Sequence, residues 1–187
     1  MKKSIEQRGG LFPQPVMIIA SYDENGNPDA MNAAWVTMCD MDQVELVLSS
    51  HQSTDNILAR RAFTVAPADA ANLVAADYVG IDSAHKVADK ARKSGLTFVR
   101  SEHVDAPVIE EFPLTMECEV VEVEGDADGA IIVGRVVNTL VEEDMLDKDG
   151  KVDFGKMGLV AYDPAHRSYR TVGDELGRAW NVGLALR

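Results

Sequence analysis

From position 49 to 57 the chain reads SSHQSTDNI, nine residues of which eight carry a side-chain hydroxyl, amide, imidazole or carboxylate and none is glycine. The stretch lies between QVELVL, which has the composition of a strand, and ILARRAF, which reads as a short helix running into another strand. Two kinds of chemistry suit such a junction. Ser, Thr, Asp and Asn satisfy the orphan N–H groups at a helix start, so the segment can be a cap. A helix N-terminus flanked by hydroxyls is also a ready anion site, with Ser49, Ser50, Ser53 and Thr54 as donors and His51 and Asn56 beside them. Asp55 is awkward next to an anion and is expected to turn away and cap. A cation for such a site is available in DSAHKVADKARKSG, where Lys86, Lys90 and Lys93 fall at i, i+4 and i+7. A stripe of this kind equally describes a solvated helix face.

Other reactive patterns are absent. The chain has no GxxxxGK[ST] loop, no GxGxxG after a strand and no GxSxG elbow. His51, His85, His103 and His166 are scattered, with no metal-ligand spacing among them or with a cysteine. LDKDGKVDF imitates a calcium loop around Gly150. However, its first and twelfth ligand positions fall on Met145 and Lys156, so it is a turn. With no acid, base or nucleophile evident, any redox or transfer chemistry would have to be carried by a bound cofactor that the protein orients.

The elements that must position these residues are mostly strands. PVMIIAS (15–21) and AMNAAWVTM (30–38) flank an Asn-Gly turn and predict a hairpin. QVELVLS and FTVAP follow as strands around a short helix at 54–61. Helices are expected over 68–79 and 82–95, the second ending on Lys93 and Gly95. LTFVR, PLTMECEVVEVE, AIIVGRVVNTLVEE, GLVAY and SYRTVG complete about eight strands, spaced as in a closed or partly closed barrel with peripheral helices. At 187 residues without repeats or linkers, one domain is expected. A net charge of −13 disfavours nucleic acid and anionic membrane surfaces. No apolar run is long enough to span a bilayer, and no secretory signal opens the chain. Cys39 and Cys118 form no motif, which fits a reducing cytoplasm.

Taken in succession, PQPVMIIASYDENGNPDAMNAAWVTM, SSHQSTDNI, AFTVAP, DYVGIDSAHKVADK, GLTFVRSEHVDAPVIEEFPLTMECEV and VAYDPAHRSYRTVG resemble the flavin reductase-like family of FMN-binding split barrels, most closely its flavoredoxins. The resemblance covers nearly the whole chain. It implies a mainly β fold, a Greek-key split barrel with added strands and helices, in a homodimer that binds FMN. It also implies electron transfer between NADH or NADPH and flavin, or between flavin and a partner protein; the alternative is a non-enzymatic FMN carrier. By the same resemblance the flavin ring lies against AMNAAWVTM, with Asp29, Asn32, Ala34, Trp35, Val36 and Thr37 as contacts, and Ala33 and Ala34 small enough to admit a flat ring. Trp35 is either core or a wall of that site. The phosphate is expected at Ser49, Ser50, His51, Ser53, Thr54 and Asn56, with Lys90 as its cation. The chain departs from the family pattern at Asp29, where Asn is common, and at Ala91, Gly129 and Val160.

Overall fold

The computed structural model describes residues 1–10 and 12–187. Its first hairpin joins β2 (Met17–Tyr22) to β3 (Pro28–Ala33), after a two-residue β1 (Gln14–Pro15). The turn between them is held by Asp23, whose Oδ1 accepts the N–H groups of Asn25 and Asn27. Gly26 supplies the left-handed residue, with φ of 81°. The chain continues through β4 (Val36–Asp40), β5 (Gln43–Ser49), α1 (Gln52–Arg60) and β6 (Ala62–Pro67). Two more helices, α2 (Leu73–Ile81) and α3 (Lys90–Ser94), precede the short pair β7 (Phe98–Arg100) and β8 (Pro107–Ile109). The long hairpin β9 (Leu114–Asp126) and β10 (Gly129–Val141) follows, then β11 (Val160–Asp163) and β12 (Ser168–Thr171).

Seven strands form one antiparallel sheet in the order β3-β2-β6-β9-β10-β5-β4. Its two edges, β3 and β4, are consecutive in the chain and are separated only by Ala34 and Trp35. So short a link spans roughly 10 Å even when extended, so the sheet must curl until its edges nearly meet. That is a split barrel, and the fold is mainly β. AMNAAWVTM is therefore not the single strand its sequence predicts. It bends at Ala34–Trp35, where the chain leaves one sheet edge for the other.

Strand β2 shows how the barrel is stabilised on both sides. Ile19 points into a core with Leu46, Phe63, Val65 and Ile132, whereas Ile18 joins Ala76, Val79 and Phe112 beneath α2. The period of two sends neighbouring residues to opposite cores, which explains why MIIAS reads as an unbroken apolar run. Gly134 of β10 lies against the Phe63 ring, and no Cβ would fit there without displacing it.

The helices differ from expectation in extent. Helix α1 starts at Gln52 rather than 54, and α2 covers 73–81 rather than 68–79. Of the helix expected over 82–95 only α3 forms; residues before it are turns. Lys86 and Lys90 consequently do not share a helical face. No helix among the described residues is long and apolar enough to cross a membrane.

Candidate functional site

The bend at Ala34–Trp35, the β5–α1 junction and the end of α2 surround one elongated cleft. Its open part, about 530 Å³, runs along Asn32, Ala33, Ala34 and Trp35 and is bounded by Ser49, His51 and Tyr162. A more enclosed part of about 400 Å³ adjoins it through Met31, Asn32 and His51, and ends among Ser50, Ser53, Lys86 and Lys90. A side compartment of about 450 Å³ opens from Asn32 and Ala34 towards Asp77, Tyr162 and Tyr169.

At the enclosed end, His51 is the N-cap of α1 and its carbonyl accepts the N–H groups of Thr54 and Asp55. No side chain caps the helix. The N–H groups of Gln52 and Ser53 have no partner among the described residues and stay available at the positive end of the helix dipole. Lys90 is the first residue of α3 and is only 2% exposed, yet it lines this end of the cleft. Its Nζ lies 2.8 Å from Oδ1 of Asp29, which is equally buried. The contact is ionic but off the hydrogen-bonding direction, since Oδ1 receives no aligned donor. Oδ2 of Asp29 accepts the Ser53 hydroxyl at 2.7 Å.

His51 faces both parts of the cleft, and its Nε2 is 3.0 Å from the Ser49 hydroxyl. Burial, and then the neighbouring Lys90 and His85, hold its imidazole below the usual histidine range. At neutral pH it is an uncharged hydrogen-bonding group, not a cation for an anion. Asp55 does turn away, but to His85 at 2.9 Å rather than to the helix end.

The open end is built from small and flat groups. Ala34 is half-buried and Trp35 is 63% exposed, so the indole is a wall of the cleft and not core. The N–H groups of Ala34 and Trp35 have no partner among the described residues, although the Trp35 carbonyl still accepts the Val47 N–H of β5 at 2.9 Å. Asn32 is held by a bond from its Nδ2 to the Ala76 carbonyl, and Gly80 of α2 packs so closely on Asn32 that an added Cβ would come within 2.9 Å of the Asn32 Cβ. In the side compartment the Tyr169 hydroxyl donates to Asp77 at 2.6 Å, and burial together with that carboxylate pushes the phenol up to about 12.

The structure thus gathers Asn32, Ala34, Trp35, Ser49, Ser50, His51, Ser53 and Lys90 around one cleft. It sends five other expected contacts elsewhere. Asp29 lies behind Lys90 and Ser53 instead of lining the cleft. Val36 is buried in the barrel core. Thr37 is exposed beyond the bend, its hydroxyl bonded to the next carbonyl. Thr54 is fully buried and its hydroxyl is spent on the Ser49 carbonyl. Asn56 is buried one turn further along α1 than Gln52, bonded to Gln52 and to Ser21. Thr54 is turned away from the cleft by the helix, whereas Asn56 shares the face of Gln52 and Ser53 but sits a turn further from the helix start. Gly80 and Tyr162 were not foreseen; neither residue type carries a signal of its own.

A hollow of about 520 Å³ beside Arg60, Arg61 and Arg100 lies outside this cleft. Its arginines are engaged by Asp105 and by the carbonyls of Asp23, Glu24 and Val120. Cys118 is buried, which together with Glu117 raises its thiol to about 12 and leaves it inert.

The comparison with known families decides what kind of cleft this is: residues 9–170 match the family model described as "Flavin reductase like domain". The chain belongs to that family. Among solved structures, this flavin reductase-like chain is similar to the flavoredoxin of Desulfovibrio vulgaris (Miyazaki F), with 33% identity, 98% of this chain and 100% of that one covered, and a TM-score of 0.91. The flavoredoxin from Methanosarcina acetivorans follows at 26% identity, full coverage of both chains and a TM-score of 0.88. An FMN-binding protein from Thermus thermophilus, solved with 1-cyclohex-2-enone, shares the fold at 20% identity and a TM-score of 0.78, over 95% of this chain and 97% of that one.

Proposed function

We propose that the cleft binds FMN and that the protein is an oxidoreductase passing electrons from NADH or NADPH through the flavin to an acceptor, either a small molecule or a partner protein. The observation that carries this reading is the division of one continuous cleft into a flat, open, small-residue end and an enclosed end with free helix N–H groups and a buried lysine. The names of the similar structures, two flavoredoxins and an FMN-binding protein, support it.

The residues fit the two parts of such a ligand. Ser50, the N–H groups of Gln52 and Ser53, and Lys90 would hold the phosphate. Ala34 gives the ring room, Trp35 bounds it on one side, and Asn32 and His51 offer hydrogen bonds at its polar rim. When bound, FMN supplies the acceptance of a hydride and the onward transfer of electrons, which asks for no protein acid or base at the reacting atom. What the protein must provide is stabilisation of negative charge on the ring. The partnerless N–H groups of Ala34 and Trp35 would be donors for that, with the neutral His51 beside them.

Homodimerisation in the cytoplasm completes the proposal. Edge strand β4 carries exposed Met38, with Met41 just beyond it, and Val121, Ile131, Val137 and Leu140 are partly exposed on β9 and β10. Sedimentation at micromolar concentration should give a dimer; a monomer that holds flavin tightly would count against it. The test of function is the visible spectrum of the purified, flavin-loaded protein before and after anaerobic addition of NADH or NADPH. Flavin absorbance that bleaches, with steady turnover once an acceptor is present, is the expected result. Bound flavin that neither nucleotide reduces would mark a carrier loaded by another protein, and a protein that takes up no flavin would sink the reading.

A further inference from the structure

Asp29 is the least expected group near the proposed phosphate site. A carboxylate behind an anion site opposes it, and this one is 4% exposed, with no solvent to screen it. It engages two of the donors that the site would otherwise offer. Lys90 touches it at 2.8 Å, and the Ser53 hydroxyl is turned to it at 2.7 Å although Ser53 lines the cleft. The two lysines at the enclosed end are already matched by two carboxylates, Asp82 and Asp29, without a ligand. Lys86 and Lys90 line it, Asp82 lines it too, Asp29 stands behind Lys90, and Asp55 is paired with His85.

Building on the flavin reading above, we propose that Asp29 is an internal counter-ion that competes with the flavin phosphate for Lys90. In doing so it sets the cleft for exchangeable rather than permanently held FMN. Lys90 carries three N–H donors and the contact with Oδ1 can occupy only one of them, so the others can turn to a second anion. The same carboxylate makes the ligand-free protein sound, since a lysine this buried needs an opposite charge when no phosphate is present. Flavin is then not required to complete the fold and can leave. The cost falls on affinity. At an effective dielectric constant near 20, a like charge on the other side of Lys90 from a phosphate weakens binding by about tenfold or more. Asp29 is a positioning residue in this scheme, acting on the ligand through Lys90.

The experiment titrates flavin-free protein with FMN and with riboflavin, which lacks the phosphate, following flavin fluorescence. The native protein should prefer FMN by less than about thirtyfold, roughly one charge-assisted contact; a larger preference overturns the proposal. Asp29→Asn keeps an acceptor for Ser53 but removes the charge. It should tighten FMN by about tenfold or more and leave riboflavin unchanged. An unchanged or weakened FMN affinity in that variant overturns the proposal, as does an equal change for both ligands, which is what a merely structural Asp29 would give. If Asp29→Asn does not fold, the Asp29→Asn/Lys90→Met pair removes both charges together. It should prefer FMN by no more than the native protein does, through Ser50 and the helix N–H groups alone, and a preference larger than the native one overturns the assignment of Lys90 and this inference with it. A native protein that binds neither flavin defeats the functional reading itself, whereas failure of the FMN-to-riboflavin pattern alone defeats only the role of Asp29.

Discussion

The two ends of the cleft are built on opposite physical plans. The enclosed end is made of buried, charged and mutually bonded groups: Lys90, Asp29 and Ser53 form a network closed to solvent. The open end is a bend in the chain, lined by Asn32, Ala34 and the exposed Trp35, where the N–H groups of Ala34 and Trp35 are left without partners among the described residues. One end is part of the fold, and changing it should cost stability before it costs binding. The other stands outside the core, and changing it should alter ligand contacts with little effect on folding. This division predicts how mutations will sort.

The largest effect should come from Lys90→Met. It leaves the Asp29 carboxylate buried without a cation, and breaking one partner from such a pair costs about 3–5 kcal/mol. Urea unfolding should show that loss, and adding Asp29→Asn should recover much of it. A Lys90→Met protein as stable as the native one would show that the enclosed end is not part of the fold after all.

Next in size is Gly80→Ala, which links the two ends. The new Cβ would fall 2.9 Å from the Asn32 Cβ, and backbone on both sides limits how either can yield. Overpacking of this kind costs typically 1–3 kcal/mol. By shifting Asn32 it should weaken FMN and riboflavin together, measurable in the same titrations.

Thr54→Val probes the hidden face of α1. It removes the bond to the Ser49 carbonyl and nothing that faces the cleft, so about 1 kcal/mol of stability should go while the ratio of FMN to riboflavin affinity stays fixed. A selective loss of FMN would return Thr54 to the phosphate site.

These contrasts also show where the sequence was legible. The composition of SSHQSTDNI marks a helix start, and the structure has one there, capped by the His51 backbone. Which hydroxyls face the cleft depends on the rotational phase of α1, and a two-residue error in where a helix begins turns it by more than half a turn. Strand period and turn chemistry likewise expose the barrel, since β2, β5 and β10 carry alternation or apolar runs that survive any packing. Lys90 is the opposite case. Its neighbours Lys86 and Lys93 make it look like one of a solvated row, and only the distant Asp29 draws it inside. The bend at Ala34–Trp35 is equally silent, because β3 and β4 separate there for a topological reason and not through a breaker residue.

A smaller effect is expected at His51. Its folded-state imidazole resists protonation, chiefly through burial and then through Lys90 and His85. In the unfolded chain the ordinary value near 6.5 applies. The unfolded form therefore takes up a proton first as pH falls. Stability from this group is full above about 6.5 and is lost below it, until the folded protein also protonates. His51→Gln should flatten that part of the curve, read as the urea midpoint between pH 7 and 5. A native curve that rises as pH falls through this range would contradict the assignment.

Trp35 should give the smallest change in stability and the clearest view of the open end. With 63% of its surface already exposed, Trp35→Phe removes little buried contact and should move folding by no more than about 0.5 kcal/mol. Its contribution to the ligand is a flat aromatic wall, worth about 0.5–1.5 kcal/mol beyond area when a ring stacks on it. Phe keeps part of that, so affinity should fall by up to about tenfold, and equally for FMN and riboflavin because both carry the same ring. Fluorescence supplies an independent measure. Only two tryptophans are present, and Trp180 is 97% exposed in the C-terminal segment. If Trp35 stands against the ring, FMN should quench roughly the Trp35 share of the emission, and in Trp35→Phe most of the quenching should vanish while Trp180 still emits. Quenching that survives the substitution would place the flavin away from the bend. A loss confined to FMN would do more damage, since it would make the open end sense the phosphate and remove the division on which the other predictions rest.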